Sequence, residues 1–557
     1  MPVPRGRRSA FACLLLLVLI STGLMACASP AAAPAPAGQP QAAAPTTAPA
    51  APPAAPAAKA TDAPKAAAPT AAAAAPAAKT SGNALTIAIA EDIGALDIRK
   101  EGSAASFSLL RHIYEPLVWF DDNMKLYPVL AESWEQVDPT TMRFKLRKDV
   151  KFHNGKPLTA DAVKYSLEKA LDPKGDAWMQ FALDGLVKGA TVVDPYTVDI
   201  QTTAPTPSLL WRLTLLDIVE PSYADSGQMD TKPMGTGPYK FVEFTPRQQF
   251  VMARNPDYWG KAPAIERITA RILPEAGTRQ AALQAGEVQM IDSVSPEMMK
   301  RIQEAPNTTV TTAPTARLVY VTLRNDRGPL TNPKVRQAMN YAVDKKALTG
   351  TILKDISAQA QGPLPPSLTS SRQDLNYDYN PDKAKQLLKE AGYNGEKIIF
   401  GVGKGRYPND GQVAEALVNY WQAVGLNIEF KQGEWAAMSA EARKGKDSPF
   451  DAFMQGWSAD ALDPVLMMDF LFNSKNTPSR TAYSNPKVDE NLKKAATTND
   501  PKALDTLLKD TQGMVWEDAP LVFLYYPLQV LGISKNLKGF TARPDEFFFF
   551  TGSSLGQ

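Results

Sequence analysis

The chain has 557 residues, 47 of them proline, enough for two to four domains at ~100–200 residues each, with large buried cores. Lys and Arg number 60 against 58 Asp and Glu, so no global field exists to hold nucleic acid or an anionic membrane. Both cysteines, Cys13 and Cys27, stand near the N-terminus, which excludes a disulfide framework, a thiolate metal cluster and a cysteine nucleophile from the rest.

The N-terminus reads as an export signal: Arg5, Arg7 and Arg8, then the apolar run FACLLLLVLI, then small residues. Leu24-Met25-Ala26-Cys27 resembles a bacterial lipobox, with Met25 where a smaller residue is usual. The resemblance implies that Cys27 is lipidated and anchors the chain to the outer face of the cell membrane. Residues 28–83 are almost entirely Ala, Pro, Thr and Lys, a composition that cannot build a core. Extended as polyproline, this disordered tether would reach roughly 170 Å. No later segment is apolar enough to span a bilayer.

The globular body is expected from Ala84. Leu85–Ala90 reads as a buried strand. Thr141–Val150 alternates Met142, Phe144 and Leu146 with charges, as a half-buried strand does, and Asn154-Gly155 predicts a turn. Thr159 is placed to cap a helix. Gly235-Thr236-Gly237-Pro238 suits either a hinge or a tight turn. Three helices should open on Asn332-Pro333, Asn380-Pro381 and Asn485-Pro486, because Asn caps and Pro at the first position lacks the amide that would be orphaned. Another helix, Gln412–Val424, should end at Gly425 and lead into the strand Leu426–Phe430. Asp463-Pro464 is a further cap pair, after a strand at Phe450–Gln455. Strands and helices mingle throughout, the pattern of an α/β (mixed α+β) protein.

Reactive constellations do not emerge. There is no HExxH or P-loop pattern. Gly401-Val402-Gly403-Lys404-Gly405 has the wrong spacing for a phosphate cradle. His112 and His153 lie far apart and make a weak case for a metal site. Carboxylates are plentiful, but nothing singles out a hydrolytic pair. Trp421 and Trp435 suit a core or a cleft wall, and Phe547–Phe550 should pack as a terminal strand.

Long segments share one resemblance. VLAESWEQVDPTTMRFKLRKDVKFHNGKPLTADAVKYSLEKAL (129–171), GTGPYKFVEFTPRQQFVMARNPDYWG (235–260), NPKVRQAMNYAVDKKALTG (332–350), NPDKAKQLLKEAGY and APLVFLYYPLQVLGISKNLKGF (519–540) are similar to the extracytoplasmic solute-binding proteins of the oligopeptide, dipeptide and nickel type, in that family's order. The resemblance implies a two-lobed periplasmic-binding-protein-like clamshell (type II, cluster C) with an extra domain. Domain I would take 84–117, 237–316 and 527–557, domain II 118–236, and domain III 317–526. It implies a non-enzymatic, monomeric receptor that binds short peptides and passes them to the permease of an ABC importer, with no cofactor. In the segment Gly456-Trp457-Ser458-Ala459-Asp460, the aspartate would pair with the ligand's α-ammonium. Gly456 and Ser458 would offer backbone hydrogen bonds, Trp457 a wall, and Ser103 and Ala104 the opposite lobe. Leu96-Asp97-Ile98 replaces the family's usual Leu-Asp-Pro nearby. A nickel chelate, haem or an oligosaccharide as ligand, a surface-tethered hydrolase, and a scaffold with an empty cleft are the rival readings.

Overall fold

The structure, a computed structural model, describes residues 83–556 except Asp176, Trp178, Asp460 and Pro478. The signal, the tether and Cys27 therefore lie outside the described residues, and so does Asp460.

The strand Ala84–Ile89 lies between parallel neighbours, Arg267–Ile272 along its whole length and Met290–Ile291. A strand with parallel partners on both sides is buried on both faces, so it reads as an apolar run. The strands Gln249–Arg254 and Tyr239–Thr245 extend this half of the sheet antiparallel.

The long strand Leu521–Ser534 joins it to a second half. From Leu528 onward it pairs with Thr308–Pro314 and then Met290–Ile291. Up to Pro527 it pairs with Arg317–Leu323 and Ser357–Gln359. Pro527, which has no amide to donate, sits where the partner changes, and its carbonyl accepts from the Thr315 amide and hydroxyl. In the second half, Ala452–Ser458 pairs with Arg317–Leu323, and Lys397–Lys404 runs parallel to both Ala452–Ser458 and Asn427–Glu434. The helix Asp410–Ala423 makes the crossover between Lys397–Lys404 and Asn427–Glu434. Its Trp421 is core, fully buried, with Nε1 donating to the Met339 carbonyl at 3.0 Å.

A separate antiparallel sheet has the order Ala131–Asp138, Thr141–Leu146, Thr197–Thr202, Val187–Asp194. Phe144, Leu146, Val198 and Ile200 point to its buried face. The helix Ala160–Leu171 comes between Thr141–Leu146 and Val187–Asp194 in the chain.

The local signals resolve as follows. Asn332, Asn380, Asn485 and Asp463 all accept amides of the first turn they precede. Gly155 turns with φ +85° and Gly425 ends its helix with φ +97°. Thr159 occupies the cap position, but its side chain makes no capping bond; the Ala160 amide donates instead to the Pro195 carbonyl. The strand from Thr141 stops at Leu146 rather than Val150. The strand expected at Phe450–Gln455 runs Ala452–Ser458, because Gly456, Trp457 and Ser458 pair with Val319, Leu318 and Arg317. Phe547–Phe550 forms no strand. The amides of Phe548 and Phe550 donate to Ser108 Oγ and His112 Nε2, so side chains of the helix region, not a neighbouring strand, hold the run.

Candidate functional site

A cavity of about 750 Å³ opens between the two halves of the sheet. From one side it is lined by residues following Ala84–Ile89 and by the start of the helix Ala104–Leu110. From the other come the end of Ala452–Ser458, the loop after Lys397–Lys404 and the helix Trp435–Ala442.

Ser103, Ala104, Gly456, Trp457 and Ser458 all line this one cavity. Ser103 precedes the helix Ala104–Leu110; its hydroxyl donates to Glu91 Oε2 at 3.0 Å and its amide to Glu101 Oε1 at 2.7 Å. The buried Glu101 carboxylate also takes the amides of Gly94, Ala95 and Gly102, which is how a carboxylate is held without a cation. Trp457 lines the cavity and also packs, its ring stacked on Phe470. Ser458 Oγ is buried without a hydrogen-bond partner among the described residues, a state that costs free energy until a partner arrives.

The backbone of Gly456–Ser458 has one paired edge and one open edge. Arg317–Val319 covers the first. Toward Lys397–Lys404, pairing ends at Val402↔Met454, and the remaining residues of the strand have no ladder partner there among the described residues. Lys397–Lys404 instead stays with Asn427–Glu434 as far as Lys404↔Glu434. The two strands diverge, and the cavity occupies the gap.

The glycine-rich run explains how the gap is shaped. A Cβ on Gly403 would lie 2.7 Å from Trp435 Cα, and one on Gly401 2.8 Å from the Phe450 ring, so these glycines let side chains and a helix close onto the strand. Gly405 turns with φ +90° and delivers Arg406 and Tyr407 to the cavity. Sequence reasoning missed Glu91, Lys404, Arg406 and Tyr407, whereas Trp435, read as core or cleft wall, does line the cavity. For Lys404, Arg406 and Tyr407 the signal was present: GVGKGRYP ends a parallel strand, the edge where open α/β sheets bind ligands.

The described lining carries Arg317, Lys404, Arg406 and Arg443 against Glu91, Asp92 and Glu434. Arg317 pairs with Glu546 at 2.8 Å (Nε–Oε1), and Arg406 with Glu91 at 2.8 Å. Asp92 accepts the amides of Ile93 and Arg247. Glu434 caps Trp435–Ala442 through the amides of Ala436 and Ala437, which hold its carboxyl below the usual range. Lys404 and Arg443 have no ion pair among the described residues. Among the described residues the acids are committed locally, and two cations of the lining have no ion pair.

Neither histidine has a free nitrogen pair to share with the other. His112 is buried, with Nδ1 on the Ser108 carbonyl and Nε2 accepting the Phe550 amide; burial pushes its pKa down to about 4. His153 Nε2 meets the Gly237 carbonyl, and burial lowers it likewise to about 4. No cluster of metal-ligating side chains occurs among the described residues, and no helix among them is long and apolar enough to cross a membrane.

Comparison with known proteins agrees with this architecture. The family model of the bacterial extracellular solute-binding proteins, family 5 Middle, matches residues 125–479. The chain is similar to the glutathione-binding protein GsiB of Pectobacterium atrosepticum, 31% identical over 85% of this chain and 94% of that one. It is similar to heme-binding protein A of Haemophilus influenzae, 30% identical over 80% of this chain and 87% of that one. Among solved structures it resembles the periplasmic binding protein DppA of Helicobacter pylori in complex with the peptide STSA, with a TM-score of 0.77 and 25% identity over 86% of this chain and 98% of that one. The chain belongs to the family 5 extracellular solute-binding proteins, the substrate-binding components of ABC importers.

Proposed function

We propose that the protein binds short peptides reversibly in the cavity between the sheet halves and delivers them to a membrane permease. One observation carries the reading: the edge of Gly456–Ser458 facing the cavity has no ladder partner among the described residues. An extended peptide laid there would complete the ladder with its own backbone, a contact indifferent to side-chain identity. Asp460, two residues beyond, would pair with the α-ammonium, since a charge shut into a drying cleft needs an opposite charge. Ser103 and Ala104 would close from the opposite side, and Trp457 would form a wall. Lys404 and Arg443, uncommitted, would receive the ligand's carboxylates. A peptide with more than one carboxylate suits them best, and a glutathione-binding protein is among the relatives.

The same reading assigns 84–117, 237–316 and 527–557 to domain I, 118–236 to domain II and 317–526 to domain III, with closure of I on III over the ligand. It takes the protein as a monomer without enzymatic activity, held to the membrane by lipidated Cys27. Cavity acids that are each engaged by local donors support binding over hydrolysis, because a hydrolase needs one carboxylate available as acid and one as base or nucleophile.

Native mass spectrometry of the purified protein, followed by calorimetry with tri-alanine, glutathione, haem, a nickel–histidine chelate and a cello-oligosaccharide, tests the reading. A co-purified peptide and heat of binding with tri-alanine or glutathione support it. Binding confined to haem, the chelate or the sugar overturns it.

A further inference from the structure

Behind the main cavity lies a second one, of about 320 Å³. The two share Glu91, Ala104, Arg317, Gly405, Arg406 and Tyr407 as lining. Those shared residues are the wall between them, and across it runs the Glu91–Arg406 ion pair. Glu91 follows Ala84–Ile89 in one half of the sheet, and Arg406 follows Lys397–Lys404 in the other, 315 positions later. Both side chains are partly exposed, at 38% and 26%. Ion pairs in that setting contribute little stability and open easily.

The chemistry of the rear cavity differs from that of the front. Its charged side chains neutralise one another: Arg279 lies beside Asp292, Arg317 beside Glu546, Arg406 beside Glu91. Beyond those pairs the lining is mostly apolar, from Ala105, Val294, Ile356, Leu528, Val530 and Phe548, beside Ser293, Ser295 and Gln529. The front cavity, by contrast, presents Lys404 and Arg443 without ion-pair partners, and a strand edge without a ladder, among the described residues. A ligand's charged and backbone groups have their partners in front, and the space behind best suits an apolar group.

We propose that the rear cavity is a subsite for an apolar side chain or tail of the bound ligand, and that the Glu91–Arg406 pair is the partition such a group displaces, so that these two residues set which ligands use it. The proposal rests on the ligand site described under the proposed function but not on the ligand being a peptide. Gly405 contributes no side chain to the wall, and Arg317 is held by Glu546.

Two measurements test it. In the first, calorimetry compares tri-alanine with the three tripeptides carrying one Phe at position 1, 2 or 3. One position should favour Phe over Ala by about tenfold or more, the size expected from burying a phenyl ring. Arg406→Ala should widen that preference. Ala105→Phe, which fills the rear cavity from a residue that does not line the front one, should abolish it while tri-alanine still binds. An unchanged preference in Ala105→Phe overturns the subsite. In the second, crystals of the wild type and of Ala105→Phe are pressurised with xenon. Density in the rear cavity of the wild type only is the expected result, and its absence from the wild-type rear cavity overturns the proposal. Failure of every tripeptide to bind would defeat the peptide reading alone, and the xenon result would then decide the subsite.

Discussion

Trp457 lies flat on Phe470, with ring centroids 3.6 Å apart and 17° between their planes, and the Arg480 guanidinium sits 3.9 Å from the Phe470 centroid. The indole at the cavity is thus the outermost layer of a three-part stack, held from behind rather than hanging from the strand. Phe470→Leu keeps most of the volume but removes the flat backing. It should cost about 1–2 kcal/mol in stability and weaken ligand binding by a larger factor than the loss of stability accounts for. Urea melts and calorimetry on the same variant separate the two effects; wild-type affinity would show that the ring's orientation does not matter to the site.

Asp460→Asn should fold as the wild type does and lose affinity for tri-alanine by about two orders of magnitude, the scale of removing one member of a desolvated charge pair. N-acetyl-tri-alanine, which has no ammonium, should bind both forms equally and weakly. Equal loss for both peptides would mean that the carboxylate acts on the fold and not on the ligand's amine.

Lys345 is buried with its ammonium 5.1 Å from the Trp516 ring centroid and 5.6 Å from that of Tyr377, and no hydrogen-bond partner among the described residues. Burial pushes its pKa down to about 7, against a weaker upward pull from Asp378. In the unfolded chain the group titrates near ~10.4. Between those values the unfolded state holds a proton that the folded state has released, so stability rises with pH from about 7 toward 10 and the penalty is complete below 7. Lys345→Met should remove that slope and be more stable than the wild type at pH 6 by an amount on the order of a few kcal/mol. Urea melts of both proteins at pH 6, 7.5 and 9 check it. Curves that stay parallel would place the proton on the folded lysine throughout.

Arg212 and Asp463 show what a sequence displays and what it conceals. The cap was legible, because Asp-Pro before an apolar helix is a local pattern, and Asp463 Oδ1 does accept the Val465 amide at 2.9 Å. The other oxygen pairs with Arg212 Nε at 3.0 Å, from a helix 251 positions earlier, and no local pattern announces that. The same divide runs through the site. The strand end at Ser458 was placed three residues short because its partner, Arg317–Val319, is remote in the chain. Glu91 and Arg406 were invisible as a pair for the same reason. The Asn-Pro helix starts, the Asn154-Gly155 turn and the Gly425 stop depend on neighbours within four residues, and these were readable. Phe547–Phe550 misled because apolarity alone does not distinguish a strand from a segment clamped by Ser108 and His112.

That buried pair also predicts. The side chains of Arg212 and Asp463 are only 7% and 2% exposed. Arg212→Met should therefore cost about 3–5 kcal/mol, since it leaves a carboxylate in the interior without its cation. Asp463→Asn keeps an oxygen for the cap and removes the charge. The double variant should recover part of the loss, with a coupling of about 1–3 kcal/mol in the cycle. Additive losses would mean that the two groups do not feel each other.

Gly235 and Gly237, read from sequence as a hinge or a turn, are sites of close backbone contact. A Cβ on Gly235 would lie 2.3 Å from the Ile113 carbonyl oxygen and 2.9 Å from Tyr114 Cα, and one on Gly237 2.5 Å from the His112 carbonyl oxygen. Neither backbone can retreat cheaply, because the Gly237 amide donates to Ile113 at 2.8 Å and the Tyr239 amide to His112 at 2.9 Å. Gly235→Ala should cost more than about 3 kcal/mol or prevent folding, as overpacking against a fixed backbone does. Gly277→Ala is the contrast: it lies in the helix Ala276–Gln284 with nothing within 4 Å of the new Cβ, and should gain about 0.5 kcal/mol. Denaturation midpoints of the two variants decide the matter. A Gly235→Ala protein that melts with the wild type would mean that the 113–114 backbone yields.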